Sequence, residues 1–178
     1  ETGVATKTIN TISEYTKKLE NSAYKSSFLM RPVFEAARSA SRKIVFAEGE
    51  DERVLRASFS MIEETGDSPI LIGRPDVVMS RIEKYGLPLK INKDFELVNP
   101  ESDPRFREYW ETYHKIMERR GVTPALAKAI MRTNSTAIAA IMVFRSEADS
   151  MICGTFGQYL WHLKYIKEVL ENNELNAI

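Results

Sequence analysis

The sequence predicts an α/β domain of three layers, with helices on both faces of a mostly parallel sheet. Short apolar runs alternate along the chain with longer stretches of helical periodicity, the order that joins parallel strands through crossover helices. The apolar runs show no in-and-out alternation, as expected of strands covered on both faces. Gly, Pro or Asp-Pro signals mark most of the changes from one kind of segment to the other.

Residues 1–25 are polar and rich in Thr, Ser and Asn, with a short helix expected from Ser13 to Leu19. They read as a linker or tail from a preceding domain, and residues 26–178 as one lobe of the next. Ser26-Ser27 can cap a helix reaching about Ala40, with Phe28, Val33, Phe34 and Ala37 on its apolar side. Lys43–Ala47 is the first strand. The turn Glu48-Gly49-Glu50 leads to a helix from about Asp51 to Thr65, with Val54, Leu55, Ser58, Met61 and Ile62 on one face. Pro69–Ile72 is the second strand, followed by a helix that buries Val78, Ile82 and Tyr85 and stops at Gly86. Phe95–Val98 is the third strand. Asp103-Pro104 starts a helix that runs to Arg120, with Phe106, Tyr109, Trp110, Tyr113, Ile116 and Met117 as its stripe. Thr123-Pro124 starts a short helix. Ser135–Arg145 is apolar nearly all round and so is expected to be buried. Ser150–Cys153 is the fourth strand. Gly154-Thr155-Phe156-Gly157 then opens a last helix, with Trp161, Tyr165 and Val169 as its core stripe.

Composition narrows the function classes. Lys and Arg number 25, as do Asp and Glu, so net charge gives no reason to expect a nucleic acid or a membrane surface as partner. The longest apolar run, Ala137–Phe144, is far short of the ~20 residues that span a bilayer. No signal peptide pattern opens the chain, and a cytoplasmic setting is the default. Cys153, the single cysteine, reads as a small buried hydrophobe at a strand end. Glu1-Thr2-Gly3-Val4 has no Met and the tail has no capping motif, so the chain is expected to be part of a longer polypeptide.

In open parallel sheets ligands bind beyond the carboxyl ends of the strands, which places loops 48–53, 73–76 and 154–158 at the binding edge. Neither a dinucleotide fingerprint nor a P-loop follows any strand, and His114 and His162 have no catalytic signature around them. From the first loop the candidate ligand residues are Glu48, Gly49, Asp51 and Arg53. Acidic residues there also suit a helix N-terminus, and Arg53 has two readings, meeting a ligand phosphate or fixing a carboxylate. From the last loop the candidates are Gly154, Thr155 and Phe156, whose backbone N–H groups could face an anion, with Lys164 about two turns into the helix adding a charge. No residue is assigned a catalytic or metal-binding role.

Five blocks in this order resemble a known family: Lys43 to Ala57 (KIVFAEGEDERVLRA), Pro69 to Pro75 (PILIGRP), Phe95 to Pro100 (FELVNP), Tyr109 to His114 (YWETYH) and Ile152 to Gly157 (ICGTFG). The first looks like the opening strand, loop and helix of phosphotransacetylases. Together they are similar to the phosphotransacetylase-like C-terminal domain of bacterial NADP-dependent malic enzymes. Tyr24 to Arg38 resembles the junction before it. The resemblance implies a two-lobed fold of the isocitrate/isopropylmalate dehydrogenase type, incomplete in this chain, whose second lobe would hold the family's catalytic Ser, Asp and Arg. It sets Met117 and Lys164 at positions where active phosphotransacetylases carry arginines, and neither replaces an arginine fork. It implies a regulatory domain with acetyl-CoA as effector and no acetyl transfer of its own, in a homo-oligomeric polypeptide. A separate malic domain would hold NADP and a divalent metal, Mg or Mn, and convert malate to pyruvate. The alternatives are an active phosphate acetyltransferase, making acetyl phosphate from acetyl-CoA and phosphate, and an oligomerisation module.

Overall fold

A computed structural model describes Ser13, Thr16, Met30 and residues 32–171. The described residues fall into two units divided between Ala40 and Ser41. In the first, residues 32–40 are helical. The rest of the expected Ser13–Leu19 helix, the Ser26-Ser27 cap and the expected boundary at residue 25 lie outside the described residues.

The second unit is built on a parallel four-stranded sheet in the order β3-β2-β1-β4, with β1 at Ile44–Phe46, β2 at Ile70–Ile72, β3 at Glu96–Val98 and β4 at Ser150–Ile152. Six α-helices accompany it: α1 (Glu52–Thr65), α2 (Pro75–Tyr85), α3 (Phe106–Met117), α4 (Pro124–Thr133), α5 (Ser135–Phe144) and α6 (Tyr159–Leu170). Strand residues point alternately to two cores. Phe46 and Leu71 meet Val54 and Leu55 of α1 and Val78 and Ile82 of α2. Val45, Ile70, Ile72 and Val98 meet α3, α4 and α5 on the other face. Burying each such Leu or Ile stabilises by about 1.5–3 kcal/mol. Helix α5, apolar all round, is buried from Thr136 to Met142.

Two expectations are corrected. Helix α3 begins at Phe106, not at Asp103, because Asp103 accepts the Arg105 amide (2.8 Å) and shapes a turn before the helix. The chain then tightens into a 3₁₀ turn at Glu118–Arg120, closed by Gly121 with φ +84°. On α6 the buried residues are His162 and Val169, while Trp161 is exposed. Val169 and the half-buried Tyr165 keep their expected places in the stripe, and His162 takes the buried position expected of Trp161.

The chain steps from β1 to β2 to β3 with its helices on one face, then returns past β1 to β4 with its helices on the other. One hand of crossover demands this change of face when the direction of travel reverses. Between β1 and β4 the two outgoing loops part to opposite faces, leaving a crevice at the strands' carboxyl ends.

Candidate functional site

The crevice is stitched together by side chains from the β1 loop. Glu48 stands two residues beyond the end of β1 and is only 5% exposed. Its two carboxylate oxygens accept the Gly154 amide at 3.0 and 3.2 Å, so the β1 loop holds the first residue beyond Cys153. Gly49 runs against β2, donating its amide to Ile72 O (3.0 Å). A Cβ there would lie 2.8 Å from Leu71 Cβ and from Ile72 O, so glycine is required by close approach. Asp51 caps α1 through the Arg53 amide at 2.8 Å.

In the structure Arg53 fixes a carboxylate, one of its two readings, and its side chain stays 67% exposed. Its guanidinium grips Asp51 (Nε–Oδ1 3.0 Å, Nη2–Oδ2 3.0 Å) and donates to the Thr155 carbonyl. The hydrogen bonds from Arg53 hold the Asp51 carboxyl below the usual carboxylate range. Glu50 is held low in the same way by Arg74, which binds it through Nε and Nη2 at 2.9 Å each.

Loop 154–157 turns on Gly154 (φ +98°) and Gly157 (φ +90°). The Thr155 carbonyl is taken by Arg53 and the Phe156 carbonyl by His162 Nε2 at 2.7 Å. The amides of Thr155, Phe156 and Gly157 take no partner among the described residues, and the buried Thr155 hydroxyl has none either. Backbone N–H groups left over in such a turn form an anion-attracting concavity.

Beside this loop lies a cleft of about 560 Å³. Glu48, Asp51 and Phe156, all expected from sequence, line it, and Phe156 is 62% exposed. Gly49, Arg53, Gly154 and Thr155 shape its rim without lining it. Lys164 lines neither this cleft nor the second groove. It pairs with Glu168 at 3.8 Å and stands over the Tyr165 ring.

Three contributors were not legible in the sequence. Arg81 and Arg132 line the cleft; among the described residues neither has a carboxylate oxygen within 4.0 Å, and the Arg81 charge helps to hold Glu50 and Asp51 low. Arg81 donates to the Glu50 carbonyl, and Arg132 lies over the Phe106 ring at 5.2 Å. The third is His162, whose place on the buried face with Ile166 and Val169 is the one signal that could have found it. A second groove, about 510 Å³, runs along the free edge of β4, lined by Ile152, Cys153, Tyr159, His162, Leu163 and Ile166 among others. Burial first, and then the Glu48 charge, push the Cys153 thiol up, away from the reactive thiolate. Met117 is 4% exposed and packed in the core with Tyr113, Ala127 and Met131, so it offers nothing to a ligand. Among the described residues no three His, Cys, Asp or Glu cluster as metal ligands, and no helix is long and apolar enough to cross a membrane.

Comparison with known proteins gives this geometry a family. The model for phosphate acetyl/butaryl transferase matches residues 28–176. An NADP-dependent malic enzyme from Escherichia coli (strain K12) is 49% identical over 169 residues, 95% of this chain and 22% of the relative's length. An NAD-dependent malic enzyme from Rhizobium meliloti (strain 1021) is 47% identical over 171 residues, 96% of this chain and again 22% of the relative. This chain thus spans about a fifth of the curated malic enzymes it matches. A phosphate acetyltransferase from Synechocystis (strain PCC 6803) is 30% identical over 141 residues, 79% of this chain and 20% of that protein. Among solved structures, the EutD phosphotransacetylase from Staphylococcus aureus superposes with a TM-score of 0.68 at 23% identity, over 80% of this chain and 43% of that one. It shares the fold.

Proposed function

Since this chain belongs to the phosphate acetyl/butaryl transferase family, we propose that it is the acetyl-CoA-sensing part of a malic enzyme polypeptide. In this reading the parent converts malate to pyruvate in a separate domain with a nicotinamide cofactor and a divalent metal, Mg or Mn. NADP is the cofactor proposed, although relatives are named for both NADP and NAD. This chain binds the effector and biases the parent's conformations, which is what allosteric coupling requires.

One observation carries the reading. A glycine turn with tied carbonyls and unpaired amides borders a cleft that holds an exposed Phe156 and two arginines, Arg81 and Arg132, beside the carboxylates of Glu48, Glu50, Asp51 and Glu101. Phosphate groups suit the amides and guanidinium groups, and the acyl-pantetheine or adenine suits the ring. The buried Met117 supports binding without transfer, since no arginine fork stands there.

The test is the malic enzyme rate of the full-length polypeptide under rising acetyl-CoA. Inhibition is expected, with half-inhibition shifted roughly tenfold upward in Arg132→Ala and Arg81→Ala, the loss of one charged hydrogen bond each. Lys164→Ala serves as the comparison, and a larger shift there would move the phosphates to α6. No response of the wild type to acetyl-CoA overturns the reading. Formation of acetyl phosphate from acetyl-CoA and phosphate by the same protein would establish the acetyltransferase reading, which the Synechocystis relative favours.

A third reading, self-association, is favoured by the exposed apolar residues Ile152, Phe156, Tyr159, Leu160 and Trp161 around the free edge of β4.

A further inference from the structure

We propose that His162 is the positioning residue of this site. It is a buried imidazole, fixed in one tautomer, that sets the shape of loop 154–157 and through it the affinity of the cleft. The ligand named in the test, acetyl-CoA, rests on the reading above. The geometry does not.

His162 is the fourth residue of α6 and is 4% exposed. Its Nε2 lies 2.7 Å from the Phe156 carbonyl. A carbonyl oxygen only accepts, so Nε2 carries the ring proton. In the neutral ring Nδ1 is then a lone pair, and the buried Thr136 hydroxyl of α5, 2.8 Å away, donates to it. Glu48 Oε1 stands 3.8 Å from the same Nδ1 while its carboxylate holds the Gly154 amide. One imidazole thus ties the centre of the loop to α5, and the carboxylate beside it ties the start of the loop to β1. The fit is close: a Cβ on Gly157 would lie 3.1 Å from Nε2, and the Trp161 ring meets the imidazole edge-on with centroids 4.9 Å apart.

An apolar side chain would fill the same space without the cost of desolvating two ring nitrogens. His162 spans two elements and ends on the carbonyl of Phe156, the residue whose ring lines the cleft. With that carbonyl tied down, the neighbouring amides stay unpaired and available.

The experiment uses the full-length polypeptide as wild type, His162→Gln, His162→Asn and Thr136→Val. Gln can place an N–H donor near the position of Nε2. Asn is too short to reach the Phe156 carbonyl. Hydrogen exchange in a peptide containing the Gly154 amide reports loop order without ligand, and acetyl-CoA titration reports affinity. Exchange at least about tenfold faster and acetyl-CoA binding about tenfold weaker are expected in the Asn and Val variants, with both restored to within about threefold in Gln. Nitrogen-15 spectra of histidine-labelled wild type should show the Nε2–H form at His162, a measurement that holds even if a variant fails to fold.

A Gln variant as damaged as Asn, or an Nδ1–H ring in the wild type, overturns the proposal. If the wild type binds no acetyl-CoA but the exchange pattern holds, the acetyl-CoA reading falls and the positioning role stands. If binding is intact and exchange is the same in all variants, the positioning role falls alone.

Discussion

At the scale of single residues, the β1 loop shows how far a charged stretch can be read. Arg53 was legible as a choice between ligand and carboxylate, because Asp51 stands two residues before it and an N-capping aspartate leaves an oxygen within a guanidinium's reach. What could not be read was the Thr155 carbonyl it also meets, 102 residues away in the chain. The partners of His162 could not be read for the same reason: Phe156 is near in sequence, but Thr136 and Glu48 are not. Gly49 looked like a turn residue and proves to be a spacer. Its missing Cβ is what lets the β1 loop lie on β2, with Leu71 and Ile72 only 2.8 Å from where that carbon would be. Both neighbours are backbone or Cβ atoms of a buried strand and cannot swing aside. Gly49→Ala is therefore expected to cost about 1–3 kcal/mol by overpacking, lowering the thermal midpoint of this unit. A midpoint unchanged within error would mean that the loop can lift from β2.

At the scale of elements, strands and helices were legible because each carries its own periodicity and its own stop signals, down to Gly66 and Gly86 in left-handed conformation at the ends of α1 and α2. The start of α3 was not, because its cap is displaced by an ion network that local sequence does not announce. Arg105 binds Asp103 (2.9 Å) and Glu96 (2.8 Å). Tyr109 donates to Glu147 (2.8 Å), and Glu147 in turn holds Arg145 (2.6 Å). These groups clamp the start of α3 to β3 and to the turn before β4. Burial pushes the Asp103 carboxyl up, but the side-chain and backbone hydrogen bonds of Arg105 outweigh it and leave it below its ordinary value of 3.8. A carboxyl depressed in the folded state adds stability that is complete above its ordinary pKa and is lost as pH falls through the lower, folded value. Chemical denaturation between pH 7 and 2 should thus show an acid limb beginning near the ordinary carboxylate range. Asp103→Asn should be less stable than wild type by about 1 kcal/mol at pH 7, and the gap should close toward pH 2. A constant gap across the range would assign the effect to packing. Glu50, held low chiefly by Arg74, adds to the same limb and would keep it from vanishing in the variant.

At the scale of the whole molecule, the parallel α/β class followed from element order, but the strand order β3-β2-β1-β4 did not, since it depends on a strand pairing with one that lies about a hundred residues earlier. That pairing creates the switch point and brings Phe156 to a cleft whose other walls come from the loops after β1, β2 and β3 and from the junction of α4 and α5. It also leaves β4 at an edge, where Ile152, Tyr159, Leu160 and Trp161 are exposed together, an unusual state for a parallel sheet. Further chain in a longer polypeptide and a second copy are two distinct ways to cover that edge. Leu160→Lys separates them. The side chain is exposed, so the stability of the 178-residue chain should change by no more than about 0.5 kcal/mol. If a second copy covers the edge, a charge there should dissociate oligomers of the full-length polypeptide in sedimentation velocity, because an unpaired lysine cannot enter an apolar interface without a partner. If further chain covers it, sedimentation should be the same as in the wild type, the full-length polypeptide should lose stability, and a hydrophobic dye bound by the 178-residue chain should be excluded from the intact wild type. Dissociation with undiminished stability supports the association reading. Unchanged sedimentation with a lowered thermal midpoint ends that reading, and the role of the chain then rests on the cleft.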